Sequence, residues 1–94
     1  MNLEKIIKEN QGTIIDVRSP EEFMGGNVAG SINIPLNELP KKLEEIKSLP
    51  TPLILCCASG GRSGMAQAFL MQQGITSYNG GSWFDVNYYQ SQTA

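Results

Sequence analysis

The chain alternates short apolar runs with amphipathic segments. Residues 2–10 place Leu3, Ile6 and Ile7 at helical spacing among charges, and Gln11-Gly12 ends that helix. Residues 13–17 (TIIDV) are apolar and β-branched, the composition of a buried strand. Asp16 and Arg18 stand at its C-terminal end, the side on which open α/β sheets carry their sites. Ser19-Pro20 starts a helix, with serine as N-cap, proline in the first position and Glu21 and Glu22 against the positive end. Gly25-Gly26 cuts it short. Residues 31–35 (SINIP) alternate as a second, short strand. Residues 36–49 predict a helix with Pro40 near its start; Leu39, Leu43 and Ile46 face the core, and Lys41, Lys42, Glu44, Glu45 and Lys47 face solvent.

After the connector Pro50-Thr51-Pro52, residues 53–56 form an apolar run that reads as a buried strand. The run breaks into Ala58-Ser59-Gly60-Gly61, and residues 63–73 return to helical spacing through Met65, Ala68, Phe69 and Gln72, stopped by Gly74. Residues 75–79 predict another covered strand, Gly80-Gly81 a sharp turn, and residues 82–89 a terminal helix whose aromatic residues close the core. Residues 90–94 read as a frayed tail. Strands alternating with helices predict one α/β domain over residues 1–94, with a mainly parallel sheet covered on both faces.

Composition narrows the partners. Net charge is −2, with no lysine–arginine cluster, which argues against nucleic acid. No apolar run approaches bilayer-spanning length, so no membrane is expected. The N-terminal segment is unlike a secretory signal, so a cytoplasmic location is expected. Two adjacent cysteines and no histidine offer no metal-ligand set.

The candidate chemistry lies in residues 53–66, LILCCASGGRSGMA. A cysteine at a strand end is followed by a glycine-rich loop that wraps into a helix N-terminus. Free amides of loop and helix start form a concave set of donors that favours an anion. A sulfur among them is stabilised as thiolate and becomes a nucleophile at neutral pH. Arg62 adds a positive charge, and the glycines allow close backbone approach.

Asp16-Val17-Arg18, Glu22-Phe23, Gly30, Asn33-Ile34-Pro35, the loop CASGGRS and Gly80-Gly81 before Trp83 together resemble the single-domain rhodaneses, the thiosulfate-type sulfurtransferases. The resemblance runs from about Ile14 to Trp83 and implies a rhodanese-like sheet of four or five short strands. It implies that Cys57 takes a sulfane sulfur from thiosulfate, a polysulfide or a persulfide and passes it to cyanide or a thiol, which a partner protein can carry. It further implies Arg62 as a catalytic partner and the residues 58–63 as the cradle, with Ala58, Ser59, Gly60, Gly61 and Ser63 contacting substrate. Asp16 and Arg18 match supporting residues, and an i,i+4 pair between Arg18 and Glu22 is expected. No cofactor or metal is implied. The family's usual Gly-His-Ile is here Gly26-Asn27-Val28, and the spacing from the glycine pair to Trp83 is shorter. The same fold also serves as a non-enzymatic sulfur carrier or docking module.

The double cysteine allows a rival register. Counted from Cys56, the loop has the cysteine–five residues–Arg-Ser spacing of cysteine-dependent phosphatases and arsenate reductases. Gly60 in third place after Cys57 favours Cys57. Strand alternation sends the two thiols to opposite faces, which leaves Cys56 as core filler. With Arg62 the only charge in the loop, a dianionic donor is held on amides alone, so a polysulfide or persulfide donor fits as well as thiosulfate.

Overall fold

The computed structural model describes residues 2–92. Four strands form one parallel sheet in the order β2-β1-β3-β4: β1 (Thr13–Asp16), β2 (Ile32–Asn33), β3 (Leu53–Cys57) and β4 (Ser77–Ser82). The chain enters through a helix, α1 (Leu3–Lys8), capped by the Asn2 side chain. Helices cover both faces, as parallel pairing with crossover connections requires.

Strand alternation divides the core in two. Ile15, Val17, Leu53, Leu55 and Cys57 face a cluster completed by Leu39, Ile46, Ala66 and Leu70. Ile54 and Cys56 face the opposite cluster with Ile7, Val28 and Val86. The central strand β3 is buried at all five positions. Its neighbours leave it no edge, and every side chain meets a helix layer.

Several elements depart from the sequence pattern. The segment from Leu36 is a 3-10 helix (Leu36–Lys42) followed by a short α-helix, α3 (Leu43–Lys47). Pro40 explains the split: it lacks an N–H and its ring clashes with the carbonyl four residues back in an α-helix. The helix after the loop, α4 (Gly61–Gln72), starts two residues earlier than expected and buries Ser63, Ala66 and Leu70. Met65 and Ala68, two of the residues that mark the helical spacing in the sequence, are exposed, Met65 by 63%. A buried serine sets that rotation, because Ser63 faces Cys57 rather than solvent.

Gly80-Gly81 is not a turn but lies inside β4, where the register jumps from Leu55 opposite Asn79 to Cys56 opposite Gly81. Gly80 is thus the extra residue of a β-bulge. A Cβ there would meet Val86 and Ile54 side-chain carbons at 2.9 and 3.0 Å, so only glycine lets α5 (Trp83–Ser91) close on the sheet. The tail is shorter than expected: α5 runs to Ser91, and the Gln90 amide donates to the Ala29 carbonyl at 3.0 Å. Residues 93–94 of the expected tail lie outside the described residues. The terminal aromatics only partly close the core, since Phe84 and Tyr88 are 66% and 59% exposed.

Candidate active site

The site forms where β3 ends. Cys57 is buried, and three residues later Gly60 takes φ +104°, a left-handed conformation that turns the chain back toward the sulfur. A Cβ on Gly60 would stand 3.4 Å from the Cα of Gly81, so β4 approaches the loop closely. The turn aims the Gly60 amide at the Cys57 Sγ, 3.0 Å away. The Ser63 amide donates to the same sulfur at 3.4 Å, and the Ser63 hydroxyl lies 3.4 Å from it. Ala58, Ser59 and Gly61, the other residues expected to contact substrate, are exposed.

Burial raises the Cys57 thiol, but the Ser63 hydroxyl, when its proton turns to the sulfur, and the amides of Ser63, Gly60 and Ser59 outweigh it and bring the pKa down to about 7. The adjacent thiol behaves oppositely. Cys56 faces the other core, where burial and then the nearby Asp16 carboxylate push it up to about 12. Two neighbouring cysteines therefore differ: hydrogen-bond donors favour the anion at Cys57, and burial disfavours it at Cys56. The Cys56-centred phosphate loop has no geometric support, because that sulfur lies on the wrong face of β3.

Arg62 does not stand over the sulfur as a free cation. Its Nη1 and Nη2 donate to Glu22 Oε1 and Oε2 at 2.6 and 2.9 Å. Glu22 also serves the N-terminus of α2 (Pro20–Met24): its Oε1 accepts from the Ser19 amide, and Ser19 Oγ accepts from the Glu22 amide in return. Held first by Arg62 and then by the Ser19 amide, the Glu22 carboxyl drops to about 2. The fork joins α2 to α4 beside the loop.

The expected Arg18–Glu22 ion pair is therefore not formed. Arg18 is buried and forks onto Asp16, with Nη2 to Oδ2 at 2.7 Å and Nε to both oxygens at 3.0 Å. Its remaining contacts are the Gly26 carbonyl at 2.6 Å and the Trp83 ring, whose centroid is 4.6 Å from the guanidinium carbon. Only the backbone carbonyl of Glu22 reaches it, at 3.4 Å. The competition is settled by position: Asp16 is fully buried beside Arg18, whereas Glu22 meets the guanidinium of Arg62 at the surface. Asp16 and Arg18 thus brace the end of β1, with the Asn33 amide donating to the carbonyls of both.

Sequence reasoning passed over Asn79. Its side chain leaves β4 just before the bulge and ties the middle of the loop to its far end, donating to the Gly60 carbonyl at 3.1 Å and accepting from the Ser63 hydroxyl at 2.6 Å. The available signal was its place at the C-terminal end of a strand parallel to β3, directly before a glycine pair.

Residues 2–83 match the family model for the rhodanese-like domain. Over 67 residues the chain is 43% identical to the Bacillus subtilis protein YqhL, covering 70% of this chain and 52% of that one. Over 70 residues it is 31% identical to the thiosulfate sulfurtransferase GlpE of Pseudomonas aeruginosa, covering 74% of this chain and 63% of that one. The chain spans about half to three-fifths of the length of these relatives. A structure of an Escherichia coli rhodanese with anions superposes with a TM-score of 0.70 at 32% identity, covering 78% of this chain and 88% of that one. A cysteine at the tip of a central parallel strand, wrapped by a glycine loop that opens a helix, here sits in a chain that belongs to the rhodanese-like domain family.

Proposed function

We propose that this protein is a sulfurtransferase that works through a persulfide on Cys57. The observation that carries the reading is the sulfur's surroundings: two backbone amides donate to one buried sulfur at 3.0 and 3.4 Å, with the Ser63 hydroxyl beside it at 3.4 Å. These donors favour negative charge on Cys57, so the thiolate is available near neutral pH. In the first half-reaction the Cys57 thiolate attacks the sulfane sulfur of a donor. A new S–S bond forms, the donor's own bond to that sulfur breaks, and the donor leaves with the electron pair. In the second, cyanide or a thiolate attacks the outer sulfur, the Cys57 S–S bond breaks, and Cys57 returns as thiolate. No net oxidant or reductant is consumed.

The electrostatics favour a polysulfide or persulfide donor over thiosulfate. Arg62 and Arg18 are each committed to a carboxylate, so the dianion would meet amides alone. A persulfide carries a single charge, and a polysulfide dianion holds its two charges at opposite ends of the chain, so only one charge enters the loop and needs no additional neutralisation. The resting place for the outer sulfur is the loop of residues 58–63, and the acceptor is a small nucleophile or a thiol on a protein.

The test is turnover with matched enzyme: sulfur transfer from polysulfide and from thiosulfate to cyanide or a thiol, beside hydrolysis of an aryl phosphate. The proposal predicts transfer, faster from polysulfide, with no phosphate released. Aryl phosphate turnover without sulfur transfer would overturn it.

A further inference from the structure

We infer that Asn79 is a positioning residue for Cys57, acting through the direction in which it holds the Ser63 hydroxyl proton. The inference deepens the sulfur-transfer reading and takes its functional meaning from it. Ser63 Oγ carries one proton and faces three acceptors: Asn79 Oδ1 at 2.6 Å, the Gly60 carbonyl at 3.2 Å and Cys57 Sγ at 3.4 Å. The shortest of these takes the proton. The amide of Asn79 is itself oriented without ambiguity, because Oδ1 accepts from the Gly81 N–H at 2.9 Å while Nδ2 donates to the Gly60 carbonyl at 3.1 Å. The bulge at Gly80 makes this arrangement, since it shifts Gly81 out of the strand register and turns its N–H onto the Asn79 side chain.

With its proton on Asn79, the Ser63 oxygen presents a lone pair to the sulfur. In that state the Cys57 S–H donates to Ser63 Oγ, which favours the thiol. When Cys57 ionises, the hydroxyl must turn toward the sulfur and give up the 2.6 Å bond. Asn79 thus works against the two amides, which act only in favour of the thiolate. The balance matters for a two-step sulfur carrier. Cys57 must be a nucleophile when it takes sulfur and a leaving group when it gives sulfur up. A thiol with a midpoint near ambient pH serves the first step best, and a lower one serves the second.

A double-mutant cycle tests the inference, with the pH midpoint of Cys57 alkylation as the readout, followed by intact mass. Asn79→Ala releases the Ser63 proton; once Cys57 ionises, the charged sulfur at 3.4 Å outcompetes the neutral Gly60 carbonyl at 3.2 Å for it, and the midpoint should fall by roughly half a unit to one unit. In the Ser63→Ala background the same substitution should move the midpoint little, because the hydroxyl through which Asn79 acts is gone. Asn79→Asp gives up the donor to the Gly60 carbonyl but keeps an acceptor at Ser63 and makes it stronger; it should raise the midpoint, by less when Ser63 is alanine. This second variant keeps the test decisive if Asn79→Ala does not fold. Equal shifts in both backgrounds, or none in either, would overturn the inference and leave Asn79 as a fastening for the loop. Sulfur uptake by the unsubstituted protein, followed by mass in the same samples, is a separate outcome: its absence would defeat the sulfur-transfer reading while the coupling between Asn79 and Ser63 remained measurable.

Discussion

Gly60→Ala perturbs the sulfur's surroundings at one atom, and the structure fixes both the direction and the size of the effect. Gly60 sits at φ +104°, where alanine is strained by about 1–3 kcal/mol. The chain relieves that strain by rotating the residue, and the rotation takes the Gly60 amide away from Cys57 Sγ, now 3.0 Å distant. A hydrogen bond to a charged group is worth roughly 1.5–3 kcal/mol, or about one to two pH units of midpoint. The Cys57 midpoint should therefore rise from about 7 to ~8 or above. At neutral pH the thiolate fraction falls from roughly half to a tenth or less. The rate at one pH understates this, because the more basic thiolate is about threefold more nucleophilic. The informative assay is the full pH profile of iodoacetamide alkylation, read by mass. A Gly60→Ala protein with its midpoint still at about 7 would refute the claim that this amide holds the thiolate.

Other outcomes follow from the same geometry. Glu22 has its pKa lowered from 4.5 to about 2 on folding, so its contribution to stability is full above the unfolded value and is lost as pH falls from about 4.5 toward 2. Urea midpoints should separate wild type from Glu22→Gln near neutral pH and converge in acid; an equal gap at both would contradict the Arg62–Glu22 fork. Gly80→Ala forces a Cβ against Val86, Ile54 and the Leu55 carbonyl and should cost about 1–3 kcal/mol, lowering Tm by ~4–8 °C for each of them. An unchanged Tm would mean the bulge relaxes freely. Cys57→Ser should remove sulfur transfer while Cys56→Ser keeps most of it, because only Cys57 meets the loop amides; the reverse pattern would point to the wider Cys56-based loop.

The two central strands were readable because a parallel centre covered on both faces shows as a continuous apolar, β-branched run. The loop was readable because its glycines and the helix start are local features. What escaped the sequence depends on distant partners. The rotation of α4 is set by a polar residue, Ser63, whose attraction to Cys57 and Asn79 overrides the apolar stripe of Met65 and Ala68. Arg18 and Arg62 could each have claimed Glu22, and only the burial of Asp16 beside Arg18 decides the pairing. A glycine pair reads as a turn until the neighbouring strand shows it to be a bulge, and Asn79 gains its place from that same bulge.

The central claim is that Cys57 carries sulfur, and intact mass tests it most directly. The protein is incubated with polysulfide, freed of excess reagent, and weighed before and after exposure to cyanide, beside Cys57→Ser and Cys56→Ser. The account predicts the added mass of one sulfur atom on the unsubstituted protein and on Cys56→Ser, its removal by cyanide, and no addition to Cys57→Ser. A sulfur adduct that persists on Cys57→Ser, or none on the unsubstituted protein, would contradict it.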